Sequence, residues 1–242
     1  MLRAVLLLVF WGLTAPFVGL IGFPWTILTG KIDFLYRFAM QVARAGVRLV
    51  GIQIEAIGRE SLDPGGTYIF MCNHVSNIDP PIVVPMIPER TSVLVKKELF
   101  RFPVLGRAMR LASLVPVDRK NREAAIASVR AAAEVVRAGI NMTIFPEGTR
   151  SRDGRLLPFK KGPFYLAMEA GVPIVPMTIV GTHWVWPKGK FAVRPGKVAV
   201  IFHDPIDPRA FSDREELRAV VWEAVRSGLP PECSEAAPVR AQ

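Results

Sequence analysis

The sequence is poor in side chains that cross-link a chain or hold a metal. It has two cysteines in 242 residues, Cys72 in an apolar stretch and Cys233 in a polar tail. A disulfide between them is not expected, and a reducing compartment fits. Its three histidines stand in no His-x-x-His or Glu-x-x-His pairing, so no metal site is predicted. Zinc-finger spacing, a basic heptad region and an aromatic-interleaved RNA signature are all missing, so nucleic acid is not an expected partner. No internal repeat occurs. Charge is missing from one place in particular: residues 4–30 carry none over 27 positions.

What is present is an unusual pairing. Half the residues are apolar, yet the formal net charge is +10. That combination suits a protein that sits on an anionic surface or takes acidic ligands. A helix over residues 4–30 would be roughly 40 Å long, more than the ~30 Å hydrocarbon core of a bilayer. Gly12, Pro16, Gly19, Gly22 and Pro24 interrupt it, which predicts a kinked span or a shallow hairpin dipping into one leaflet. A cleaved signal peptide fits less well, because the run is long and no small-residue cleavage site precedes the next charges. Residues 32–50 read as an amphipathic helix. Asp33, Arg37, Gln41, Arg44 and Arg48 share one face, while Phe34, Leu35, Phe38, Val42, Ala45 and Leu49 fill the other. Beside the uncharged run, this face is expected to lie in an anionic membrane interface; the alternative is a surface helix packed on the domain. The positive charges place the following domain on the cytoplasmic face of the cell membrane.

From about residue 50 strands and helices alternate. Strands are predicted at 51–57, 67–71, 92–95, 112–117, 142–145, 173–180 and, at a sheet edge, 197–202. Helices are predicted at 82–86, 122–138, 163–170 and 213–227, with Ser212 as the N-cap of the last. This pattern predicts an α/β fold: a mostly parallel central sheet flanked by helices, with an N-terminal helical membrane anchor. The expected organisation is an anchor at 1–50, an α/β domain at 51–228 and a flexible tail at 229–242.

The chain is organised around Cys72-Asn73-His74-Val75-Ser76-Asn77-Ile78-Asp79-Pro80. The strand at 67–71 delivers His74 to the end of a sheet, where loops carry chemistry. A turn of Ser, Asn and Asp separates it from Asp79. The carboxylate can return to the imidazole, accept the Nδ1 proton and leave Nε2 free as a base. The plainer alternative is a loop histidine beside a helix-capping aspartate. Ser76 lies inside this loop and has no Gly-x-Ser-x-Gly elbow, which argues against a serine hydrolase.

Other strand ends carry charge. Phe145-Pro146-Glu147-Gly148-Thr149-Arg150-Ser151 turns sharply beside a carboxylate and a guanidinium whose planar fork suits phosphate. Val115-Pro116-Val117-Asp118-Arg119 ends similarly, followed by Lys120 and Arg122. Lys96-Lys97-Glu98 ends the 92–95 strand, and Phe159-Lys160-Lys161-Gly162 enters a helix. Each run alone is more often a solvated face. Together they fall where open α/β sheets bind ligands. His183-Trp184-Val185-Trp186-Pro187-Lys188 reads equally as a packed loop or as a headgroup contact.

These residues resemble the glycerophosphate acyltransferase superfamily, specifically the 1-acylglycerol-3-phosphate (lysophosphatidate) acyltransferases. The resemblance covers roughly residues 2–202. Its motifs are Asn73-His74 with Asp79, Asp118-Arg119, Phe145–Ser151 and Val172–Pro176, in matching order and spacing. Pro116 departs from the second motif, at a position often aromatic or aliphatic. The resemblance implies that His74 and Asp79 are catalytic. It implies acceptor binding by Arg119 and by Glu147, Gly148, Thr149 and Arg150; Asn73 is expected to bind substrate beside them, and the charged strand ends add Lys96, Lys97 or Lys161 as expected helpers. It implies acyl transfer from an acyl thioester, of CoA or of acyl carrier protein, to the sn-2 hydroxyl of lysophosphatidate. The thioester is a substrate, so no cofactor is implied. The competing expectations are another lysophospholipid acceptor and a non-catalytic lipid-binding protein.

Overall fold

The alternation of strand and helix is realised in a computed structural model that describes residues 1–117 and 122–234. Two helices lead, α1 (Leu2–Thr29) and α2 (Asp33–Leu49). There follow β1 (Ile52–Ile57), β2 (Ile69–Cys72), α3 (Asp79–Val83), β3 (Thr91–Lys96), α4 (Pro103–Leu111), β4 (Val115–Val117), α5 (Arg122–Arg137), β5 (Asn141–Ile144), α6 (Gly162–Ala170), β6 (Ile174–Val180), α7 (Thr182–Val185), β7 (Gly196–Phe202), α8 (Arg214–Ser227) and α9 (Pro231–Ser234).

Among the described residues the strands form one sheet in the order β1-β7-β6-β2-β5-β3-β4. Every neighbouring pair is parallel except β6 with β7. The strand at 197–202 is therefore not at the sheet edge where it was expected; β1 lies outside it. Alternation reports one solvated face of a strand, not an unpaired edge. Two further boundaries differ. Asp213 caps α8, its carboxylate accepting the Glu215 N–H at 3.2 Å, where Ser212 was expected. Residues 229–234 are also held: Leu229 packs on the core, and the Cys233 carbonyl accepts the Leu156 N–H at 3.1 Å. Residues 235–242 of the expected tail lie outside the described residues.

All four residues of β2 are buried. Ile69 and Met71 join a core with Phe164, Leu217 and Val221, under α5, α6 and α8. Phe70 and Cys72 join the opposite core, with Val175, Met177, Val200 and Phe202. That second core also holds Ala4 and Leu7 of α1, together with Val47 and Val50. The expected boundary at residue 50 thus cuts through a single apolar core.

The uncharged run forms neither a break nor a hairpin within itself. Pro16 and Pro24 lie inside one continuous helix, since a proline removes one ladder bond but does not reverse the chain. The reversal comes at Gly30, whose φ of 69° is the left-handed turn that glycine adopts freely. α1 and α2 then pack as an antiparallel pair. Gly46 meets the Trp11 indole and Gly22 meets Leu35, close approaches that a Cβ would block. The apolar face of α2 is therefore turned largely onto α1. The outward surface of α1 is left bare, with Leu2, Leu13, Phe17, Leu20 and Leu28 exposed. By length and composition α1 is long enough to cross a membrane.

Candidate active site

β2, β5, β3 and β4 are adjacent and parallel, so their carboxyl ends lie in a row. His74 follows β2, the Phe145–Ser151 turn follows β5, and Lys96 ends β3. Lys96 lies two strands from His74, about 10 Å at ordinary strand spacing. Arg119, with Asp118 and Lys120, lies outside the described residues.

His74 Nδ1 sits 2.8 Å from Asp79 Oδ2. The same oxygen accepts the N–H groups of Val75 at 2.8 Å and Ser76 at 2.7 Å. Asp79 is fully buried, and Oδ1 has no partner among the described residues. An acceptor holding two backbone donors is fixed in place, so it meets an Nδ1–H and leaves Nε2 as the unprotonated ring nitrogen. The imidazole stacks on Phe145 at 4.2 Å between ring centres. Ser76 Oγ donates to the Trp186 carbonyl at 2.6 Å and is fully buried, which occupies the hydroxyl away from nucleophilic chemistry.

The backbone of His74 is held by the turn after β5. Its N–H donates to Glu147 Oε1 at 2.6 Å, and its carbonyl accepts the Ser151 N–H at 2.8 Å. The other Glu147 oxygen accepts the Leu157 N–H at 3.2 Å. Burial pushes the Glu147 carboxyl up to about 8 against the pull of those two donors, and the nearby Asp79 charge adds to the rise. Glu147 is 1% exposed. Gly148 takes φ 69° in the same turn.

Asn73 is buried, with its Nδ2 donating to the Ile179 carbonyl at 3.0 Å and its Oδ1 accepting the Ile179 N–H at 2.8 Å. Both polar ends are engaged, so it ties the end of β2 to β6 rather than facing a ligand. Thr149 and Arg150 stand at the rim. Lys188 donates to the Arg150 carbonyl at 2.5 Å and lies 3.4 Å from Thr149 Oγ1. Burial, then the charges of Arg152 and Arg150, pull the Lys188 ammonium pKa down. Lys96 and Lys97 are exposed.

Lys161 turns away, pairing with Glu215 of α8 at 3.1 Å. The lysine over the turn is Lys160, whose N–H donates to the Pro146 carbonyl at 2.8 Å and whose Cγ lies 3.4 Å from where a Cβ on Gly148 would stand. Lys160 and Lys188 are the cations that the fold brings against this turn and that the sequence did not single out. Lys188 was legible only as a charge beside two tryptophans.

The chain is similar to known proteins over most of its length. The profile of the Acyltransferase family matches residues 53–180. A 1-acyl-sn-glycerol-3-phosphate acyltransferase of Limnanthes douglasii is 39% identical over 198 residues, 81% of this chain and 68% of the relative. One from Cocos nucifera is 43% identical over 139 residues, 57% of this chain and 45% of the relative. The crystal structure of the 1-acyl-sn-glycerophosphate acyltransferase PlsC of Thermotoga maritima superposes with a TM-score of 0.77 at 30% identity, covering 94% of this chain and 95% of that one.

Proposed function

The chain belongs to the acyltransferase family of the 1-acyl-sn-glycerol-3-phosphate acyltransferases, and from that premise we propose that it moves a fatty acyl group from a thioester to the sn-2 hydroxyl of lysophosphatidate, giving phosphatidate. The observation that carries the mechanism is the 2.8 Å contact of His74 Nδ1 with Asp79 Oδ2, at a strand end rimmed by cations. Nε2 takes the proton of the sn-2 hydroxyl as its oxygen attacks the thioester carbonyl. The tetrahedral intermediate expels the thiolate, which recovers the proton from His74. The Asp79 carboxylate stabilises the imidazolium that exists between these steps. The donor is an acyl thioester of CoA or of acyl carrier protein.

In this reading Arg150 and Arg119 hold the acceptor phosphate, helped by Lys96 and Lys97. Glu147, Gly148 and Asn73 act on the strand ends, setting the height and tilt of the histidine. Thr149, at the rim, meets the glycerol. Lys161 is replaced by Lys160, the neighbour that lies over the turn. The bare surface of α1 enters lipid, so that a lysolipid presents its hydroxyl without withdrawing its acyl chain. Exposing that chain would cost about 0.8 kcal/mol per CH₂. The domain then stands on the cytoplasmic face of the cell membrane.

The test is thiol release from an acyl thioester by the detergent-solubilised protein, against a panel of lysophospholipid acceptors. Release should depend on lysophosphatidate, and His74→Ala should lower turnover by at least ~10² without unfolding the chain. Near-wild-type turnover in that variant would sink the mechanism. Equal use of an acceptor without a phosphomonoester would sink the substrate assignment.

A further inference from the structure

The end of the sheet away from His74 has a separate feature. β2 and β3 are parallel and both flank β5; His74 lies beyond the carboxyl end of β2, whereas Arg90 immediately precedes β3. Beside Arg90 opens a cavity of about 280 Å³ between the polar face of α2, the 84–90 connection and the turn after β1. Four arginines from these three segments line it: Arg37, Arg44, Arg59 and Arg90. None of them belongs to the ion pairs found among the described residues. Arg44 donates to the Pro85 carbonyl. The other three guanidinium groups donate no hydrogen bond among the described residues. Asp33 and Glu89 also border the cavity, so four positive groups face two unpaired negative ones.

Two further observations single this place out. Tyr36 lines the cavity, and its hydroxyl oxygen accepts the Thr91 N–H at 3.2 Å; its own proton has no acceptor among the described residues. Glu89 takes φ 57°, a left-handed backbone that a non-glycine residue adopts at a cost. Such positions gather where a ligand is clamped. Converging guanidinium groups repel one another, and an anion with several acceptor oxygens relieves that repulsion while matching their planar forks.

We propose that this cleft binds a phosphate group, carried by an anionic lipid headgroup or as the free ion, at a site separate from the proposed acceptor site. α2 forms one wall of the cleft with its polar face, while its other face packs on α1. The basic face of α2 is thus partly turned inward. Arg44 addresses the 84–90 connection through the Pro85 carbonyl, and Arg37 lines the cleft from the same helix.

The experiment uses the full chain in nanodiscs of phosphatidylcholine and follows amide hydrogen exchange over residues 84–91. The two probes are phosphatidylglycerol in the disc and inorganic phosphate in solution. Phosphatidylglycerol is neither acceptor nor product of the proposed reaction, so the outcome stands apart from that reading. Either probe should slow exchange by roughly tenfold at saturation. Protection by phosphatidylglycerol alone assigns a headgroup; protection by phosphate as well assigns the free ion. The effect should vanish in the Arg59→Ala/Arg90→Ala variant and half-saturate at roughly tenfold higher probe in Arg37→Gln, whose position is exposed and tolerant. Acyl transfer by both variants in pure phosphatidylcholine should match wild type, which shows that they fold. No protection by either probe, or protection that survives the double variant, overturns the proposal.

Discussion

Glu147→Gln tests how the strand end is built. The two Glu147 oxygens accept from the N–H groups of His74 and Leu157. A carboxyl group accepts on both oxygens; a carboxamide has one acceptor and turns its NH₂ against the second donor. The variant therefore strands one buried backbone N–H, which costs about 1–3 kcal/mol. The pH dependence runs the other way. The carboxyl titrates at 4.5 when free and at about 8 in the folded protein. Between those values the folded state binds the extra proton, so this group's contribution is whole below pH 4.5. It is lost as pH rises to about 8. At ~1.36 kcal/mol per unit the loss is on the order of 5 kcal/mol, and glutamine has no such slope. Wild type should therefore be the more stable protein near pH 5, and Glu147→Gln the more stable above about pH 7. The crossing follows from setting the ~1–3 kcal/mol loss against that slope. Thermal scans in neutral detergent from about pH 5 to 9 measure it, at roughly 2–4 °C per kcal/mol for a chain of this size. Parallel curves across that range would refute the reasoning, because they would mean the buried carboxyl is ionised throughout.

Three other outcomes are expected. Asp79→Asn should keep the fold and the Nδ1–H tautomer, because the Val75 and Ser76 N–H groups select the amide oxygen; turnover should still fall by ~10² or more for want of the charge, and unchanged turnover would reduce Asp79 to a capping residue. Lys188→Met should raise KM for lysophosphatidate about tenfold while leaving kcat near wild type, since it removes a charged hydrogen bond that holds Arg150; a kcat loss at constant KM would place Lys188 elsewhere in the reaction. Replacing Leu13, Phe17 and Leu20 together by serine should weaken liposome binding by roughly 10³-fold without unfolding, at ~1.5 kcal/mol or more per side chain, whereas a chain beginning at Gly51 should lose stability as well because Leu7, Val47 and Val50 belong to the core; full pelleting of the triple variant with liposomes would end the anchoring proposal.

What was legible in the sequence was local. His74 and Asp79 are joined by one short turn, so residue types and spacing sufficed to predict their contact. The strands of the sheet interior were legible because burial on both faces demands uninterrupted apolar runs, as in β2 and β6. The hidden parts depend on which strands become neighbours. The hydrogen bond from the His74 N–H to Glu147 joins residues 73 apart, and it exists because β5 settles beside β2. Lys188 reaches Arg150 across 38 residues for a similar reason. Lys160 and Lys161 are indistinguishable by composition; the chain's path from Pro146 into α6 decides which one overlies the turn. The glycines and prolines of the uncharged run left a kinked span and a shallow hairpin both open, because such residues weaken a helix without fixing where the chain reverses; that place is Gly30.

The pairing of β1 with β7 bears on how the chain assembles. Among the described strands, the first in chain order takes the last as its partner. Roughly 140 residues separate them, which at ~5–20 residues per second is on the order of ten seconds of synthesis. Throughout that interval β1 has an unsatisfied backbone edge, and its solvated Gln53 and Glu55 are the residues that discourage strays from docking there. α1 and α2, by contrast, complete their contact within the first fifty residues. A nascent chain can therefore seat its hairpin while the sheet is still missing, and the sheet then closes around a segment already held in place. A chain that stops short of Gly196 keeps the hairpin but leaves β1 unpaired, with a ribbon of open hydrogen-bonding groups fixed at one location and ready to recruit another such chain.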